Sequence, residues 1–77
     1  MLEKCLMAAQ EIAAKRPADA EKYTGAASVK VEYNPYTGDW EAEANWSCGT
    51  KVNSIRLDPN LAAIDLDITL RQILRGT

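Results

Sequence analysis

Few residues in this chain could do covalent or metal chemistry. It has no histidine, and its two cysteines, Cys5 and Cys48, stand far apart in the sequence. Without histidine or a Cys-x-x-Cys pair, a zinc site has almost nothing to use. No serine lies in a G-x-S-x-G elbow, so a nucleophilic triad has no support. The glycines are isolated at turns or near the C-terminus, and Gly49-Thr50-Lys51 lacks the rest of a phosphate-binding loop. Asp65 and Asp67 offer paired carboxylates. On a helix, however, residues two apart point in well-separated directions, which reads as solvated surface. The chain is therefore expected to be non-enzymatic, with no metal and no cofactor.

The carboxylates with a pattern lie on one hairpin, ASVKVEYNPYTGDWEAEANWSC, from Ala27 to Cys48. Its first arm alternates Val29, Val31 and Tyr33 against Lys30 and Glu32. Its second arm alternates Trp40, Ala42, Ala44, Trp46 and Cys48 against Glu41, Glu43, Asn45 and Ser47. Period-two alternation marks strands with one buried face. Between them, Asn34, Pro35 and Gly38 supply turn chemistry: a local hydrogen-bonding side chain, a preset φ and access to positive φ. Setting Asn34 against Asp39 pairs Tyr33 with Trp40, Val31 with Ala42, Val29 with Ala44 and Ala27 with Trp46, all apolar on one face. The other face then sets Glu32 against Glu41 and Lys30 against Glu43, with Asp39 by the turn and Tyr36 at the tip. This face reads either as solvated sheet surface or as an acidic recognition surface made by Glu32, Tyr36, Asp39, Glu41 and Glu43. Tyrosine is a type enriched at interfaces.

The remaining segments must position that hairpin. Leu2, Cys5, Leu6, Ala9, Ile12 and Ala13 recur at helical spacing, and Pro17 disfavours helix at Arg16. One or two further turns are expected over 17–23, ended by Gly25. After a tight turn at Gly49-Thr50, a third strand is expected over 52–57 with Ile55 and Leu57 inward. Val52 has the other parity, which a bulge near Asn53-Ser54 would reconcile. Asp58-Pro59 is a helix start, and Arg71, Arg75 and Gly76 mark its end. Ala62, Ala63, Leu66, Leu70, Ile73 and Leu74 share one face of this helix. Leu61, Ile64 and Ile68 lie nearly opposite, a face that needs either a second chain or the first helix. The alternation Ile64-Asp-Leu-Asp-Ile-Thr-Leu70 supports a competing reading, a fourth strand at 64–70 with a short C-terminal helix. The fold expected is an α+β domain, α-β-β-β-α, with an antiparallel sheet covered on one face by two helices.

Seventy-seven residues make a single domain, 1–77, with 47% hydrophobic and 26% charged residues. A chain this short buries roughly 60–65% of its unfolded surface. Small domains commonly lean on a partner, a staple or oligomerisation, and a homodimer through Leu61, Ile64 and Ile68 is expected. Both cysteines occupy apolar positions, so two reduced, buried thiols are expected, with a Cys5–Cys48 bridge as the alternative. Glu3, Lys4, Gln10 and Glu11 interrupt the N-terminal apolar residues, which is unlike a signal peptide, and no stretch approaches a membrane span. These features predict a cytoplasmic protein, and the Met1 start without a tag predicts a complete small reading frame.

The order helix, three strands, helix resembles that of double-stranded RNA-binding domains across nearly the whole chain. Those domains grip phosphate with a lysine-rich start to the last helix. The matching stretch here, Asp58-Pro-Asn-Leu-Ala-Ala-Ile-Asp65, has two acids and no lysine, so the topology is comparable and the binding residues are not. A nucleic-acid module would have to use Lys51, Arg56, Arg71 and Arg75. Net charge −2 and a pI near 5.0 weigh against it. The function expected is a small interaction module, an adaptor or inhibitor presenting the acidic hairpin face to a basic protein. A nucleic-acid-binding module and a purely structural dimeric subunit are the alternatives. Short acidic chains of this kind are similar in composition to accessory proteins of phages and mobile elements.

Overall fold

The computed structural model describes residues 2–15 and 22–75. The elements run α1 (Leu2–Lys15), β1 (Ala27–Asn34), β2 (Asp39–Trp46), β3 (Lys51–Arg56) and α2 (Pro59–Leu74). The sheet is an antiparallel meander with β2 in the centre. The order α-β-β-β-α is the one expected, and residues 64–70 are helical. Their alternation is compatible with helix because residues four apart share a face: Leu66 and Leu70 are fully buried while Ile64 and Ile68 are exposed. The helix starts where expected. Asp58 caps it by accepting a 2.7 Å hydrogen bond from the Asn60 amide, and Pro59 opens the first turn. Of the turns expected over 17–23, residues 17–21 lie outside the described residues. Lys22 and Tyr23 form a turn and a bend.

The hairpin folds in the register set by its own turn. Asn34 faces Asp39, Tyr33 faces Trp40 and Ala27 faces Trp46. Asn34 Oδ1 accepts from the Tyr36 amide at 3.0 Å, and the Asn34 carbonyl accepts from Gly38 at 2.8 Å. Gly38 has φ +76, and a Cβ built there would meet nothing within 4 Å. The cost of a side chain at Gly38 is therefore conformational alone. Gly38→Val should destabilise the fold by more than about 1 kcal/mol in a denaturant melt. A variant with the parent's midpoint would show that the loop relaxes without penalty.

Both helices pack on the inner face of the sheet. The core joins Cys5, Ala8, Ala9 and Ile12 of α1 with Ala42, Ala44 and Trp46 of β2 and Ala62, Leu66 and Leu70 of α2. Alanines on the central strand leave room for close helix approach, and Trp46 fills the volume at one end. Its Nε1 donates to the Ala9 carbonyl at 3.0 Å, and its ring meets Tyr23 edge-on at 4.9 Å. Between the helices, the Cys5 thiol donates to the Ala63 carbonyl at 3.4 Å.

Two expectations are corrected. The third strand has no bulge; its pairing runs unbroken from Asn45–Lys51 to Trp40–Arg56. Val52 therefore faces the core, while Ile55 and Leu57 are 51% and 79% exposed. The turn decides this. Trp46 N–H donates to the Thr50 carbonyl at 3.0 Å, Gly49 N–H donates to the Trp46 carbonyl at 2.9 Å, and Gly49 has φ +102. That geometry fixes which residue opposes Ala44, and the apolar content of the strand does not override it. The second correction is Cys48, which lies in this turn beyond β2 and is exposed. Both cysteines are free thiols, and only Cys5 is buried.

Candidate functional site

The hairpin tip combines a hydrogen-bonded turn with carboxylates and exposed rings. Tyr36 is 96% exposed at its end, and Tyr33 and Ile55 are each about half exposed. Together with Glu32, Asn34, Pro35, Thr37, Asp39 and Glu41 they line an open groove of about 430 Å³. Tyr33 stacks at a tilt on Trp40, ring centroids 5.1 Å apart, which braces the groove wall from the inner side of the sheet. Four of the five hairpin residues singled out from the sequence, Glu32, Tyr36, Asp39 and Glu41, line this groove, and Glu43 does not. Tyr33 keeps the inner parity expected of it, opposite Trp40, and reaches the groove because it is half exposed at the end of the sheet, whereas Ile55 lies on the outer face, opposite Glu41. For Ile55, the opposite parity of Val52 is the signal that places it outward.

Glu43 has a different role. It is 7% exposed although it lies on the outer face of the sheet. Lys30 of β1 and Lys51 of β3 reach it from either side, at 3.1 and 2.8 Å. The hydrogen bond from Lys51 and the one from Lys30 hold the Glu43 carboxyl below the usual range, against its partial desolvation. The lysines are correspondingly raised, Lys51 chiefly by Glu43 and Lys30 by Glu32 and then Glu43. Glu32 and Glu41 face each other as expected. Lys30 also pairs with Glu32, and Glu41 takes Lys51 at 3.4 Å and the Asn53 amide at 2.6 Å. The outer face is thus a ladder of alternating charge whose carboxylates reach outermost at the tip.

A carboxyl whose folded pKa is depressed contributes stability above its unfolded pKa, and that contribution is lost as pH falls through the folded value. Glu43→Gln should therefore cost about 1–2 kcal/mol at pH 7, the range for hydrogen bonds to a charged group discounted for two half-exposed lysines. The difference from wild type should vanish in melts taken below the ordinary carboxylate range near pH 4. A constant difference from pH 7 to pH 3 would refute the ionic origin.

The second candidate surface is the outer face of α2. Leu61, Ile64 and Ile68 are 55%, 40% and 49% exposed. α1 packs against the opposite side of α2, through Cys5 and Ala63, and leaves this stripe uncovered. Most of the basic residues a phosphate contact would need are engaged: Lys51 with Glu41 and Glu43, Arg56 with Asp65, and Arg71 with Asp67 at 3.1 Å. Among the described residues, no group of three or more His, Cys, Asp or Glu could hold a metal ion, and no helix is long and apolar enough to cross a membrane. No protein-family model, curated protein or solved structure matches this chain.

Proposed function

We propose that the chain is a non-enzymatic protein-interaction module, an adaptor or inhibitor, whose hairpin tip receives a basic segment of a partner protein. The observation that carries this reading is the groove itself. The Asn34-Pro35 turn, the exposed Tyr33 and Tyr36 rings and Ile55 form its walls, and Glu32, Asp39 and Glu41 supply negative charge at its rim. A lysine or arginine side chain suits such a place, with its stem on the rings and its head among carboxylates. Tyrosine is among the residue types that carry most binding energy at interfaces. The net charge of −2 favours a basic protein segment over nucleic acid.

The test uses short arginine- and lysine-rich peptides and acidic peptides of matched length, followed by amide and aromatic chemical shifts. Basic peptides should move Tyr33, Tyr36 and Ile55 signals, with affinity falling as salt rises. Glu32→Gln combined with Glu41→Gln should weaken binding about tenfold and flatten the salt dependence. Its melting point should stay close to wild type, since the change relieves the facing carboxylates while losing exposed lysine contacts. Shifts confined to other surfaces, or equal binding of acidic peptides, would overturn the reading. A parallel salt titration with random duplex and single-stranded nucleic acid separates the phosphate-binding alternative, which demands a steep salt slope.

A further inference from the structure

β1 and β3 are the two outer strands of the sheet. β3 is short and turns Arg56 toward the helix side, where it pairs with Asp65, a charged inward residue of the kind that blunts an edge. Among the described residues β1 has no such protection. It is eight residues long, contains no proline, pairs with β2 without a bulge, and carries only Ala27, Val29, Val31 and Tyr33 on its inner face.

One hydrogen bond sets the phase of its backbone. The Ser47 amide donates to the Ala26 carbonyl at 3.0 Å, which makes Ala26–Ser47 a hydrogen-bonded pair, and such pairs alternate along an antiparallel ladder. Ser28, Lys30, Glu32 and Asn34 therefore direct their N–H and C=O groups to β2. Val29, Val31 and Tyr33 direct theirs to the open side, where among the described residues they meet no partner.

We infer that this edge pairs antiparallel with β1 of a second copy about a two-fold axis at Val31, forming a continuous six-stranded sheet. In that register the outward backbone groups of Val29, Val31 and Tyr33 bond those of Tyr33, Val31 and Val29 of the second copy. The inner face stays apolar throughout. On the outer face Lys30 stands opposite Glu32 of the second copy, twice by symmetry, in the non-hydrogen-bonded positions where side chains come closest. Neighbouring registers lose this match. A two-fold at Lys30 or at Glu32 sets a charge against its own copy, and one at Val29 or Tyr33 leaves both charges opposite uncharged residues. Registers of the other parity would set inner-face residues against outer-face ones. The occupant fixed by charge, polarity and backbone phase is thus the same strand. The interface is isologous, and it leaves both hairpin grooves on one side of the extended sheet.

The test is sedimentation of the full chain together with residue-resolved amide exchange over a concentration series. Wild type should sediment as a dimer at about 100 μM and dissociate on dilution. The Val29, Val31 and Tyr33 amides should gain protection with concentration while the helix amides do not. Glu32→Lys exchanges the in-chain pair with Lys30 for one with the facing Glu41, but creates two lysine–lysine oppositions across the axis, so it should weaken the dimer about tenfold or more. Val31→Pro removes an outward donor only, which an edge strand tolerates, and should give a folded monomer by circular dichroism and sedimentation. A monomeric wild type would overturn the proposal. So would a dimer whose Val31 and Tyr33 amides stay unprotected. A dimer broken by Ile68→Glu but not by Glu32→Lys or Val31→Pro would place the interface on the outer face of α2 instead.

Discussion

Trp46→Ala is expected to abolish the fold. Trp46 is 3% exposed, sits where β2, α1 and the Tyr23 segment meet, and ties β2 to α1 through its bond to the Ala9 carbonyl. Truncating a buried tryptophan costs about 3–5 kcal/mol. A single core of this size rarely supplies more than about 3–5 kcal/mol in total, so the loss is comparable to the whole stability. The positions set beside it offer little with which to fill the space: Ala27 opposite on β1, Ala44 next on the same face of β2, and Ala9, whose carbonyl it bonds, are all alanines. Alanines have no side-chain length with which to fill it. Circular dichroism should show loss of the cooperative melt. Trp46→Phe separates the contributions: it keeps an aromatic ring, drops the indole donor and should leave a cooperative melt at lower temperature. The bond itself accounts for about 1 kcal/mol. A cooperative wild-type-like melt for Trp46→Ala would mean that the core is organised elsewhere.

The two thiols should differ in alkylation rate by on the order of 100-fold or more at pH 7, because a buried thiol reacts only through opening of the fold. Cys48 is exposed, and its contacts with Thr50, whose hydroxyl oxygen lies 3.3 Å from the sulfur, and then with the Thr24 amide, which donates to it at 3.4 Å, lower its pKa to about 6. Most of it is then thiolate at neutral pH. Cys5 is fully buried, and burial pushes its thiol up. Iodoacetamide followed by peptide mass mapping should label Cys48 first, with a rate that rises through pH 6 and levels off above it. Thr50→Val should move that midpoint toward the ordinary thiol value of about 8.5. In denaturant the two sites should react alike, and the unreduced chain should titrate as two thiols. Equal native rates would contradict the burial of Cys5, and a midpoint unmoved in Thr50→Val would contradict the assignment to Thr50.

The hairpin and the start of α2 were determined by the sequence itself, because every influence on them is local. Asn34, Pro35 and Gly38 form the turn within six residues, and the strand alternation on either side agrees with it, so turn geometry and burial select one register. Asp58-Pro59 likewise starts a helix through a bond two residues away. The groove was legible to the extent that it is made of this hairpin, through Glu32, Tyr36, Asp39 and Glu41.

What only the tertiary structure decided involves more than one segment. Ile55 and Leu57 face water because the turn at Trp46–Thr50 sets the phase of β3, and hydrophobicity alone supports either phase at a strand with apolar residues on both parities. The same turn takes Cys48 out of the strand pattern that seemed to continue through it. Glu43 and Glu41 have the same type and alternate on the same strand, yet one is buried and the other lines the groove. The difference is made by Lys30 and Lys51, which converge on Glu43 from strands on either side. Of the two apolar faces of α2, Leu66 and Leu70 were buried and Ile64 and Ile68 were not, because α1 and the sheet occupy the same side. Periodicity names the face a residue is on; which face is covered depends on where the next element packs, and that is settled by the closing of the core.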